Sequence, residues 1–140
     1  MDIQGHITES GLYILGLRTT NLALNKIIAS KKVVIGDTHK ADIKTIYDLG
    51  KHSSKDPAPL ETLPFSTVNS ELFHFPVPDF SSSYKEVEII RNRLLGYHML
   101  LVGRVINTKQ TDPDPSSLYH VHIFEFMDSG YKDLSNNVHF

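Results

Sequence analysis

A chain of 140 residues is long enough for one domain with a real core and too short for two ordinary ones. Its 40% hydrophobic and 21% charged residues suit a soluble globular protein, and a formal net charge of −2 makes no electrostatic case for nucleic acid or an anionic membrane. The absence of cysteine excludes disulfides, thiol catalysis and zinc–thiolate sites, and no apolar run approaches the ~20 residues needed to cross a bilayer.

Met1 to Ser10 is polar and lacks a signal peptide's apolar stretch, so the expected compartment is the cytoplasm. Leu12 to Leu17 reads as a short apolar strand, followed by the polar connector Arg18-Thr19-Thr20-Asn21. Asn21 is placed to cap a helix over Leu22 to Ser30, whose apolar Leu24, Ile27 and Ile28 fall at i, i+3 and i+4. Lys31-Lys32 closes that helix with charge suited to a C-terminus. Val33-Val34-Ile35 is a second strand ended by Gly36-Asp37, and Lys40 to Gly50 suits a second helix with glycine as its stop.

Lys51 to Pro64 is a polar loop, since Pro57, Pro59 and Pro64 remove donors and fix φ. Phe65 to Phe80 is expected to be mostly extended, with Pro76 and Pro78 pointing to an edge or a surface path. Tyr84 to Leu94 reads as a strand with Val87 and Ile89 on one face. Leu95-Gly96 then turns into a strand over Tyr97 to Asn107, whose apolar, β-branched run is interrupted by Gly103 and Arg104. Thr108 to Ser117 is a loop around Asp112-Pro113-Asp114-Pro115, and residues 1–10 and 108–117 are expected to be flexible. Leu118 to Phe126 alternates strictly, with His120 and His122 on one face. Clustered short strands with two early helices favour an antiparallel sheet or small barrel over a parallel doubly wound fold.

The stretch Gly96 to Val105 is similar to the "G-D-H-x-x-x-x-G-x-V" signature of the flavin reductase-like family, the FMN-binding split barrels. The order of features resembles that family from about Leu12 to Leu134. The family's strand, basic hydroxyl-rich turn, helix and "F-V-V-N" strand are matched by Leu12 to Leu17, Arg18 to Asn21, Leu22 to Ser30 and Val33 to Gly36. Gly50 to Asp56 looks like its "G-x-x-S-G-R-D" loop, and Ser129-Gly130-Tyr131-Lys132-Asp133-Leu134 is similar to its closing "G-G-x-Y-x-x-L". Two departures stand out. Family members carry further early-barrel strands ahead of this point, and the lysine of the family's "D-K-F" is replaced within Ala58-Pro59-Leu60.

The resemblance implies one split-barrel domain over residues 1–140, an antiparallel, mainly β fold with helices, shortened at its N-terminus and divergent. It implies FMN as cofactor, NAD(P)H as co-substrate and a homodimer with flavin at its interface. Arg18, Thr19, Thr20 and Asn21 are then the candidate phosphate site, because hydroxyls and a guanidinium beside a helix N-terminus favour an anion. Ser53, Ser54 and Lys55 would add hydrogen bonds and charge to the same ligand. His98 is the candidate residue beside the flavin or an incoming nicotinamide, where it would donate a hydrogen bond or carry charge. Its other reading is a structural histidine that satisfies a turn carbonyl.

No metal site is expected. His120 and His122 have no third ligand at a supporting spacing, and Asp112 and Asp114 have no convincing catalytic partner. The expected function is hydride transfer from NAD(P)H to flavin, or electron relay through bound FMN. The alternative is a non-catalytic split-barrel protein serving as a structural or dimerisation module, and a third case is a piece of a longer member.

Overall fold

The computed structural model describes residues 3–7, 10–39, 42–51 and 59–112. In chain order the elements are β1 (Ile3–Ile7), β2 (Leu12–Arg18), α1 (Leu22–Ser30), β3 (Lys32–Thr38) and α2 (Ile43–Lys51). A 3-10 turn (Leu60–Thr62), β4 (Thr67–Asn69), β5 (Pro76–Pro78), β6 (Ser81–Leu95) and β7 (His98–Gln110) follow. Five strands form one antiparallel sheet in the order β1-β2-β7-β6-β3, and β4 pairs with β5 as a separate small hairpin. The architecture is a curled, mainly β half-barrel with few helices, in agreement with the sequence reading.

One face of the sheet is the core. Alternation in β2 buries Tyr13, Leu15 and Leu17, which meet Ile35 of β3, Val87 and Ile89 of β6 and Leu101 of β7. Helix α1 covers this face with Leu24 and Ile27. Asn21 starts the helix by accepting the Ala23 N–H on its side-chain oxygen at 2.9 Å. Lys31, in the left-handed region at φ 55°, ends it by donating its N–H to the Ile27 carbonyl at 2.8 Å.

Two bulges distort the long β6–β7 ladder. Glu86 pairs with Asn107 but Val87 with Val105, so Ile106 is the extra residue on β7. Ile89 pairs with Gly103 but Arg91 with Val102, so Ile90 is the extra residue on β6. The second bulge shifts the phase of β6. Before it Val87 and Ile89 face the core; after it Asn92 and Leu94 lie opposite core-facing Leu101 and Met99, and Arg91 and Arg93 fall on the outer face.

Several boundaries differ from the sequence reading. Ile3–Ile7, taken above as a flexible polar lead, pairs along β2 as a strand. Residues 108–110, taken as the start of a flexible loop, continue β7 and pair with Lys85, Tyr84 and Ser83. Polar side chains hid this end because it is a solvated part of the strand that carries no apolar alternation. Lys32 belongs to β3 rather than to the helix end, and Phe65 to Phe80 is broken by a tight turn between β4 and β5. Pro76 and Pro78 do sit on a short two-stranded hairpin, where a missing donor is tolerated.

Candidate functional site

The turn after β2 and the mouth of β7 are far apart in sequence and adjacent in the fold. Arg18 is the cross-strand partner of His98, and the Thr19 N–H donates to the Tyr97 carbonyl at 2.9 Å. The Asn21 N–H closes the turn on the Arg18 carbonyl at 2.9 Å. Arg18, Thr19 and Thr20 are exposed there, and the first turn of α1 holds no acidic residue that would repel an anion. Asn21 commits its side-chain oxygen to the helix cap, and its amide group is a donor the cap does not use. Asn21→Ala should cost about 1 kcal/mol of stability in a urea titration through loss of this cap, and an unchanged midpoint would refute it.

Gly96 makes the approach possible. It takes φ +57° at the first position of the two-residue turn that links Leu95 to its partner His98. A left-handed residue at this place matches the twist of the flanking strands, and glycine adopts it without strain. His98 is half-buried at the entrance of β7.

From His98 the register lays out the outer face of the sheet. Leu12, Ile14, Gly16 and Arg18 of β2 lie opposite Arg104, Val102, Leu100 and His98 of β7. On the other side of β7, Glu88, Arg91, Arg93 and Leu95 of β6 lie opposite Arg104, Val102, Leu100 and His98. The result is a half-buried apolar floor of Leu12, Ile14, Leu100 and Val102 bordered by arginines. The sequence reading missed this border, because plain alternation along β6 does not reveal the bulge that turns Arg91 and Arg93 outward.

Beyond this floor the same face is closed by the turn between β4 and β5. Glu86 is fully buried and accepts the Leu72 N–H at 2.9 Å, the Phe73 N–H at 2.8 Å and the Asn107 side-chain amide at 2.8 Å. Burial alone would raise its pKa, but the Phe73, Asn107, Ser70 and Leu72 hydrogen bonds outweigh it and hold the carboxyl below the usual value. The exposed neighbour Glu71 accepts from Lys109 at 2.6 Å, and that hydrogen bond lowers its pKa. Tyr84 adds its hydroxyl as acceptor for the Glu71 N–H at 3.2 Å.

Ser53, Ser54 and Lys55 lie outside the described residues, as do His120, His122 and the 129–134 segment. The fold does give Asp112 a partner that sequence reasoning did not see. Its carboxylate lies 3.0 Å from Nε2 of His39, and this pair ties the end of β7 to the end of β3. The two line a cavity of about 210 Å³ with Asp42, Asp79, Phe80, Ser81 and Thr111. Among the described residues no group of three or more His, Asp or Glu side chains is arranged to hold a metal ion.

No protein-family model matches the chain, and no curated protein matches it in sequence. Solved structures do match in shape. An FMN-binding protein from Thermus thermophilus with bound p-hydroxybenzaldehyde superposes at a TM-score of 0.66 with 14% identity, over 77% of this chain and 60% of that one. An NADH:FAD oxidoreductase from Streptomyces globisporus gives 0.64 and 14% identity over 82% and 66%. A flavoredoxin from Methanosarcina acetivorans gives 0.67 and 13% identity over 79% and 63%. The chain therefore spans less than two thirds of the length of each, and the likeness is one of fold.

Proposed function

We propose that this chain, which has the fold of the FMN-binding split barrels, is a flavin reductase-like protein that binds FMN and takes hydride from NAD(P)H or relays electrons through the flavin. The observation that carries the reading is the junction of the Arg18 to Asn21 turn with His98. An anion-binding turn and a titratable side chain meet at one end of the sheet, as a phosphate-bearing ring cofactor requires. The donor set fits a phosphate: one guanidinium, two exposed hydroxyls and a helix start without acidic residues.

When bound, FMN supplies the ring that accepts hydride; the protein supplies binding, orientation and charge. Arg18, Thr19, Thr20 and the Asn21 amide hold the phosphate, with Ser53, Ser54 and Lys55 as further donors. His98 stands at the ring end, where it donates a hydrogen bond or places positive charge beside it. The protein acts as a homodimer in the cytoplasm, with the flavin at the interface between the two copies.

Titration of FMN into the purified protein, read by flavin fluorescence, tests this. Saturable binding at micromolar or lower concentration, weakened about tenfold or more in Arg18→Ala, is the expected result. Absence of binding by folded protein would leave a non-catalytic split-barrel module as the better account.

A further inference from the structure

We propose that Arg93 and Arg91 on the outer face of β6 receive the phosphates of the reduced nicotinamide nucleotide, an inference that rests on the reductase reading above. The β6 bulge at Ile90 brings both guanidiniums onto the face that carries His98. Arg93 lies opposite Leu100 and Arg91 opposite Val102, with Leu95 and His98 as the next cross-strand pair. Adjacent strands are ~4.8 Å apart and same-face residues ~7 Å apart along a strand, so the arginines lie within about one nucleotide's reach of His98.

The charges on this face are unbalanced. Among the described residues Arg91, Arg93 and Arg104 make no ion pair. Arg104 lies opposite Glu88, and Glu88 also precedes Arg91 on the same face. The same-face neighbours of Arg93 are Arg91, Leu95 and Leu100, and none carries negative charge. Exposed arginines beside half-buried apolar side chains suit a ligand that is both flat and anionic. Its rings rest on Ile14, Leu100 and Val102, and its phosphates take paired N–H bonds from the guanidiniums. Charge complementarity favours this occupant over a second copy centred on the same spot, because a two-fold contact there would set arginines against arginines.

The test uses the full chain loaded with FMN and measures initial rates against NADH and, separately, NADPH. For the nucleotide that is oxidised, Arg93→Gln should raise KM about tenfold, and Arg91→Gln with Arg93→Gln together should raise it further. kcat should fall much less than kcat/KM, FMN affinity should hold, and Lys26→Gln on α1 should leave all three parameters in place. Added salt should raise the wild-type KM more than that of the double variant. A double variant with unchanged KM overturns the inference while the reductase reading stands. So does a double variant whose sedimentation changes while its KM does not, which would assign the face to a second copy. If the loaded wild type oxidises neither nucleotide, the reductase reading fails and the inference with it.

Discussion

Glu86→Ala should be among the most damaging single substitutions in this chain, with a loss of about 3–5 kcal/mol in urea unfolding at neutral pH. The side chain is fully buried, and its removal strands the Leu72 and Phe73 N–H groups without an acceptor and leaves the Asn107 amide only its longer bond to Glu71 at 3.1 Å. These groups hold the turn between β4 and β5 against the sheet, so the damage should localise there. Amide hydrogen exchange of residues 70–75 should speed up before that of β2 or β7. Glu86→Gln keeps the shape and an acceptor oxygen but loses the charge, and should cost less, about 1–2 kcal/mol. An alanine variant within 0.5 kcal/mol of wild type, roughly the scatter of surface substitutions, would refute the latch.

The same carboxylate predicts a pH dependence with a definite sign. Its folded-state pKa is lowered from 4.5, so its contribution is fully present above that unfolded value. The contribution is lost as pH falls through the lower folded value, because the folded state then has to take up a proton it resists. The stability gap between wild type and Glu86→Gln should therefore be constant near neutrality and close in acid below about pH 4.5. A gap that widens in acid would contradict the hydrogen-bonded carboxylate.

Gly103→Ala is the second large effect. A Cβ at this position would stand 2.2 Å from Val87 Cγ1, 3.1 Å from the Glu88 carbonyl oxygen and 3.4 Å from Ile89 Cδ1. Val87 is fully buried and cannot swing aside into solvent, so the backbone of β7 has to shift. Overpacking of this kind costs about 2–3 kcal/mol, which for a chain of this size lowers the melting temperature by roughly 5–10 °C. The double variant Gly103→Ala with Val87→Ala should lose less than the sum of the two single variants, because the shortened side chain vacates the space. Strict additivity in a thermal-melt cycle would rule the contact out as the cause. The second glycine of the Gly96 to Val105 stretch thus has a packing role: it lets β7 lie close to Val87 and Ile89 of β6.

The strands and first helix were legible because each carries its signal locally. Leu12 to Leu17 alternates onto a buried face, Asn21 stands before an i, i+3, i+4 apolar set, and Gly96 marks the hairpin turn. The misreadings share one physical cause. Ile3–Ile7 and residues 108–110 are strands by virtue of their neighbours β2 and β6, and pairing with an existing edge needs little apolar content. Asp112 looked unpartnered because its histidine is 73 residues away, at the end of β3.

The candidate site divides along the same line. The Arg18 to Asn21 turn and His98 could each be named from residue type and local spacing, since a helix start and a hairpin turn are short-range features. Their junction, the buried Glu86 latch and the outward turn of Arg91 and Arg93 could not. Each depends on register between strands, and a single extra residue, Ile90, decides which face of β6 every later side chain occupies. Local hydrogen bonding and apolar periodicity are written in neighbouring residues, whereas register is settled only when the core side chains of β2, β6 and β7 pack against α1.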